Sequence, residues 1–256
     1  MKVSLIQTNI FWADIKANLI NIEKELVTLA GKTDLVVLPE MFTTGFCTDR
    51  LELAETMDGE TVQTFIRWAK EYDFAITGSF IVCENNKIYN RAFFVNPDGE
   101  IQYADKRHLF SVGGEDRFFS AGDKRLIVNF NGFNIYVLVC YDVRFPVWAR
   151  NVNNEYDLLL YVASFPHKRI DAWDALLKAR AIENQAYVCG VNRVGVDGAN
   201  ISYSGHSVML DFKGKELAGF SEYEENVKTV EIHKEPLDKF REKYAFWKDA
   251  DRFEIK

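Results

Sequence analysis

The chain opens on VSLIQTNI, an apolar run that predicts a buried strand. NLINIEKELVTLA follows, with Leu19, Ile22, Leu26 and Leu29 at helical spacing and Gly31 standing where a helix would stop. DLVVLPE is short, apolar and rich in β-branched residues, so it predicts a second buried strand ending at Pro39-Glu40. GETVQTFIRWAKEY gathers Val62, Phe65, Ile66 and Ala69 on one helical face. FAITGSFIV and IYNRAFFVNPDGEIQYADK then predict strands, the last two joined by the turn Asn96-Pro97-Asp98-Gly99. NFNGFNIYVLVC contains a hairpin around Asn131-Gly132 and a strand finishing at Cys140. RFPVWARNV reads as the start of a helix, DLLLYVAS as a buried strand and DAWDALLKARAIENQA as a third long helix. YVCGVNRVG, YSGHSVMLDF, KELAGFS and VKTVEIH complete an alternating strand series.

Early helices alternate with strands, and strand-rich stretches between them form hairpins. That pattern predicts a layered α/β sandwich with a mixed sheet. No repeat, low-complexity segment or proline-rich linker divides it, so one domain is expected over residues 1–235. Residues 236–256 are charged and aromatic without a strand pattern, and read as an arm over the body or over a partner subunit.

Composition narrows the function. Of 256 residues, 48% are hydrophobic, enough for a sizeable core. A net charge of -7, with no basic run, argues against a nucleic-acid surface. No window approaches the roughly 20 apolar residues of a spanning helix, and the apolar N-terminus is too short for a signal peptide. Cys47, Cys83, Cys140 and Cys189 are widely spaced with no CxxC pair. They read as free thiols in a reducing, cytoplasmic setting, with no structural metal.

Three chemically interesting residues sit where an apolar run stops. Glu40 ends VVLP, Cys140 ends IYVLV, and Lys106 follows a hairpin strand in YADKRHLF. Strand ends are where α/β folds present side chains to a crevice. The strand before Cys140 gives way abruptly to a charged turn that opens a helix. Such an elbow would set the sulfur near a helix N-terminus, lowering its pKa and supplying backbone N–H donors to an oxyanion. The other three cysteines read as small buried hydrophobes. Glu40, bracketed by apolar residues, reads as partly buried and hence as a general base. For Lys106, between Asp105 and Arg107, spacing alone favours an ordinary surface lysine.

LPEMFTTGF, YADKRHLF and VCYDVRFP resemble, in order and separation, the Glu, Lys and Cys signatures of the nitrilase (carbon–nitrogen hydrolase) superfamily. KARAIENQAYV and YSGHSVMLDFKGKEL also resemble their family counterparts, so the likeness spans nearly the whole chain. The resemblance implies an α-β-β-α sandwich that pairs into homodimers and needs no cofactor. It implies Cys140 as nucleophile, Glu40 as base, and Lys106 with the Tyr141 N–H as oxyanion donors. A supporting carboxylate maps to Glu115, with Asp116 adjacent as the alternative.

Within the superfamily the chain looks closest to the omega-amidases, in particular their bacterial YafV-like branch, through CYDVRFPVWAR and KARAIENQAYV. Val147 stands where many amidase relatives have a glutamate. The implied substrate is a small keto-acid amide, 2-oxoglutaramate or 2-oxosuccinamate, whose carboxylate needs a cation. Arg144 is the candidate, weighed against a structural ion pair with Asp142 or with a dimer partner. Phe46, Phe110, Phe118 and Phe165 could line an apolar pocket, or pack the core. His108 and His206 invite a Cys–His dyad, which explains fewer residues than the Glu–Lys–Cys set. His167 and His233 read as surface residues. Rival readings keep the triad for an N-carbamoyl, nitrile or other small amide, or make the chain a non-catalytic scaffold.

Overall fold

The computed structural model describes residues 1–255. β1 (Lys2–Gln7), α1 (Ile15–Leu29), β2 (Leu35–Val37), α2 (Glu60–Tyr72) and β3 (Ala75–Glu84) make two successive β-α-β units. β4 (Lys87–Val95) and β5 (Ile101–Asp105) extend them as a meander. β6 (Leu126–Phe130) and β7 (Phe133–Val139) form a hairpin, followed by β8 (Leu158–Ala163), α3 (Ile170–Asn184) and β9 (Tyr187–Asn192). β10 (Val194–Val196) and β11 (Ser202–Ser204) pair as a small ribbon. β12 (Val208–Leu210), β13 (Glu216–Gly219), β14 (Asn226–Glu231) and α4 (Lys234–Lys243) complete the chain.

The large strands form two six-stranded sheets, ordered β14-β1-β2-β3-β4-β5 and β13-β12-β9-β8-β7-β6. In each, three central strands run parallel, β1–β2–β3 and β7–β8–β9, and antiparallel strands flank them. Alternation along the strands assigns side chains to layers. Val3, Leu5, Leu35 and Val37 join the core between the sheets. Ile6 and Val36 point the other way, into a layer with Ile22 and Leu26 of α1 and Phe65 and Trp68 of α2. Across the molecule, Trp173, Leu177 and Ala181 of α3 cover the second sheet. A Cβ on Gly190 would lie 2.5 Å from Leu177, so glycine there lets α3 settle close on β9. The architecture is therefore a single-domain α-β-β-α sandwich.

Local differences from the pattern reading have identifiable causes. α1 begins at Ile15, because Asp14 caps it by accepting from the Ala17 N–H at 3.0 Å. No α-helix follows Arg144: a 3-10 helix over Cys140–Arg144 gives way at Phe145, which precedes Pro146 and leaves the helical region at φ -113, ψ 88. YSGHSVMLDF is two strands rather than one, because Gly205 (φ 83) and His206 (φ 61) break it. Beyond residue 235, the chain contributes most of α4, which packs Leu237 into the core and carries Arg241 to Asp157 Oδ1 at 2.8 Å. The final residue of the expected arm, 256, lies outside the described residues.

Candidate active site

The parallel strands aim their C-terminal ends at one edge. β5 runs with them, being antiparallel to β4, which is antiparallel to β3. Glu40 lies just past β2, Lys106 directly after β5, Cys140 directly after β7 and Ser164 directly after β8. The two sheets thus bring residues remote in sequence to one place, as the crevice rule for parallel sheets expects.

Glu40, Lys106 and Glu115 are fully buried side chains in contact. Lys106 Nζ lies 2.9 Å from Glu40 Oε1, and 3.1 and 2.9 Å from the two Glu115 oxygens. The expectation of a surface lysine fails because β5 ends against β4: the Lys106 N–H donates to the Asn90 carbonyl, turning the residue inward. Glu115 is buried while Asp116 is exposed, so Glu115 is the carboxylate at the site. Asn90, which sequence reading missed, donates its Nδ2 amide to Glu40 Oε1 at 2.7 Å and to Glu115 Oε1 at 3.1 Å. Glu40 Oε2 accepts from the Ser164 N–H at 2.9 Å. The one signal for Asn90 was a polar residue in the apolar strand IYNRAFFV.

Electrostatics follow from burial. Burial alone would pull the Lys106 ammonium down, but Glu115 and Glu40 outweigh it and push its pKa above the usual lysine value. Burial pushes the Glu115 carboxyl up, against the pull of Lys106 and of the Phe110 N–H, which donates at 2.6 Å. Four donor contacts on its two oxygens favour the charged form of Glu115 and oppose that rise.

Cys140 has φ 45, a left-handed conformation costly for a non-glycine residue, at the first position of the 3-10 helix. Asp142 holds this elbow: its Oδ2 accepts from the Val139 N–H at 3.1 Å and its Oδ1 from the His108 N–H at 3.0 Å. The thiol is not lowered by a helix N-terminus, as the elbow reading expects. Burial pushes it well above its ordinary value, Glu40 adds to the rise, and Lys106 and the Ser164 N–H oppose it. A five-residue 3-10 turn is too short to offset that desolvation.

Cys140 opens into a cavity of about 620 Å³. Tyr141, Arg144, Phe46, Phe110, Phe118 and Phe165 all line it, as does Arg169, which sequence reading passed over inside the HKR run before α3. Phe165 is core-buried as well, while Phe118 sits at the mouth with Val112 and Ile201, all three exposed. Lys106 lies 5.3 Å from the Phe46 ring. Arg144 is not paired to Asp142. Its guanidinium lies 5.7 Å from the Phe165 ring, and that of Arg169 lies 4.8 Å from Phe110 and 5.9 Å from Phe165.

The histidines stand apart from the thiol. His108 Nδ1 lies 2.8 Å from Asp142 Oδ1 and its ring stacks on Phe145 at 3.7 Å. His206 is held between Asp174 and Glu222. His233 is exposed, but His167 is half-buried against Tyr223, a correction to its reading as a surface residue. Cys47 and Cys189 are buried, and among the described residues no cluster suited to a metal ion occurs.

Fold and buried cluster together define a class, the hydrolases built on an α-β-β-α sandwich. The chain matches the model of the carbon–nitrogen hydrolase family over residues 2–242. It is 40% identical to omega-amidase YafV of Escherichia coli K12 over 255 residues, covering 100% of this chain and 98% of that protein. It is 32% identical to the 2-oxoglutaramate amidase of Bacillus subtilis, covering 96% of each. The crystal structure of XC1258 from Xanthomonas campestris, a CN-hydrolase superfamily protein with an arsenic adduct in its active site, superposes with a TM-score of 0.98. It is 41% identical, over 100% of this chain and 99% of that one. The chain belongs to the carbon–nitrogen hydrolase family and is an amidase of the YafV-like type. No helix among the described residues is long and apolar enough to cross a membrane.

Proposed function

We propose that the chain hydrolyses the terminal amide of 2-oxoglutaramate or 2-oxosuccinamate through a thioester on Cys140. Glu40 Oε2 takes the thiol proton as Sγ attacks the amide carbonyl. The oxyanion is held by the Tyr141 N–H and by Lys106, which frees an N–H by giving up its longer contact to Glu115. The C–N bond breaks as Glu40 returns the proton to the leaving nitrogen, releasing ammonia. Water then attacks the thioester with Glu40 as base, giving the carboxylate and regenerating the thiol. Glu115 keeps Lys106 charged and in place.

The observation that carries the substrate is the pair Arg144 and Arg169. Both line the wall beside Cys140, and among the described residues neither guanidinium has a carboxylate partner. Charges left unpaired beside an apolar wall suit an incoming carboxylate, which guanidinium binds bidentately. Phe46, Phe110, Phe118 and Phe165 would flank the carbon chain. The names of the Escherichia coli and Bacillus subtilis relatives support the same substrate class.

We assign residues 1–235 to the hydrolase body and 236–256 to a C-terminal arm that packs on the body through α4 and meets a partner subunit in a homodimer. Support comes from exposed apolar side chains along the arm, Phe246, Phe253 and Ile255. Four free cysteines support a reducing, cytoplasmic setting.

The test is ammonia release from 2-oxoglutaramate, 2-oxosuccinamate, glutamine, asparagine and an N-carbamoyl amino acid. The keto-amides are expected to turn over fastest, and Arg169→Ala to raise their KM by about 10-fold or more, the loss of one charge-assisted contact. Preference for the carbamoyl substrate, or an unchanged KM in the variant, would sink the keto-acid assignment.

A further inference from the structure

The buried cluster sets two carboxylates against one ammonium, and its fourth member is a neutral amide. Asn90 is fully buried in β4. Its two N–H groups reach Glu40 Oε1 and Glu115 Oε1, and its backbone carbonyl accepts from the Lys106 N–H at 2.9 Å. One residue therefore touches all three charged members.

Lone pairs show what this contact does. Glu40 Oε1 receives Asn90 and Lys106. Each Glu115 oxygen likewise has two donors. Glu40 Oε2 receives only the Ser164 N–H. Of four carboxylate oxygens, Oε2 alone keeps an open acceptor position, and it belongs to the residue beside the thiol.

We propose that Asn90 is a positioning residue for the hydrolysis, one that locks the Glu40 carboxylate so that Oε2 alone can take the Cys140 proton. The inference rests on reading Glu40 as the base. A second cation at this position would hold the carboxylates as firmly, but would lower the affinity of Glu40 for a proton and weaken the base. An amide donates one hydrogen bond to each carboxylate and fixes the geometry without setting a second full positive charge against Glu40. Among the described residues the Asn90 Oδ1 atom has no hydrogen-bond partner, so its N–H groups orient the side chain. The reverse amide orientation would set a carbonyl oxygen against two carboxylates.

The experiment measures kcat, KM and the pH profile of kcat/KM for Asn90→Ala, Asn90→Ser and Asn90→Asp, with Glu40→Gln as reference. The titratable groups facing Glu40 are Lys106, Glu115 and Cys140, with Tyr203 beyond them. Asn90→Ala is expected to lose about 10²-fold in kcat, the range of a misplaced general base, with KM within about 3-fold. Asn90→Ser, with one hydroxyl donor, should recover part of that loss. Asn90→Asp adds a third carboxylate to the buried cluster, and the added like charge should move the acid limb of the profile to higher pH by about one unit or more. Iodoacetamide alkylation of Cys140 should slow in the same order, and this reading needs no substrate. If the three profiles superimpose on the parent while Glu40→Gln is inactive, the inference fails and the base survives. If Glu40→Gln retains activity, the base assignment fails first.

Discussion

β7 and β9 flank β8 in one sheet, and each carries a buried cysteine. Cys189 lies within β9, in register with Leu160 of β8 and Met209 of β12, and burial alone pushes its thiol up. Cys140 lies one residue past the end of β7, and burial is again the first cause of its raised thiol. Desolvation therefore does not separate the two. What separates them is backbone and company: Cys140 has left-handed φ, Glu40 and Lys106 act on its ionisation, and it lines the cavity. Burial and Glu40 both favour the protonated thiol at Cys140, which fits the proposed base-assisted attack better than a stored thiolate.

The contrast breaks most simply by substitution. Cys140→Ala is expected to lower kcat by about 10⁴-fold or more, the scale on which removal of a covalent nucleophile is felt. Cys189→Ala should leave kcat within about 3-fold and cost stability instead, about 1–2 kcal/mol for a small buried group. Steady-state kinetics and urea unfolding on both variants measure this. Similar kinetic losses in the two would mean that the company of Cys140 confers nothing.

A smaller effect sharpens what that company supplies. Lys106→Met removes the cation held between the two buried carboxylates, so it should cost both activity and fold. The expected kcat loss is about 10²–10³-fold, and the stability loss about 3–5 kcal/mol, that of a buried charge left unpaired. Acid should partly restore stability, because burial already pushes the Glu115 carboxyl up and its protonation relieves the repulsion. Urea midpoints at pH 5 and 8 test the sign: the deficit should shrink at pH 5.

These two regions also show how far the sequence could be read. Strand ends at Glu40 and Cys140 were legible because an apolar run stops abruptly at each, and periodicity located β1, α2, β8 and α3. Lys106 was not legible from spacing, because its burial depends on a backbone hydrogen bond to Asn90, sixteen residues earlier. Asn90 was invisible for a related reason: a single polar residue in a strand looks the same whether it faces water or two carboxylates. The helix expected after Arg144 failed locally, at the residue before Pro146, where a pre-proline restriction outweighs helical spacing. Arg169 lay in the short segment His167-Lys168-Arg169, whose exposure only the fold decides.

The smallest expected signal decides between a stored thiolate and a base-assisted thiol. A thiolate absorbs near 240 nm, so the difference spectrum between the parent and Cys140→Ala reports the charge on Cys140 alone. Its thiol is raised above an ordinary value of 9.0, so it binds its proton throughout the neutral range. The difference should stay at zero up to about pH 8 and grow only beyond pH 9, where Cys189, also raised, stays silent as well. Activity should nevertheless be present at pH values where that band is absent, since the proposed attack needs no preformed thiolate. A thiolate band already present at pH 7 would mean that Lys106 and the Ser164 N–H outweigh burial and Glu40. Glu40 would then act only on the leaving nitrogen and the hydrolytic water, and the two cysteines would differ in charge as well as in company.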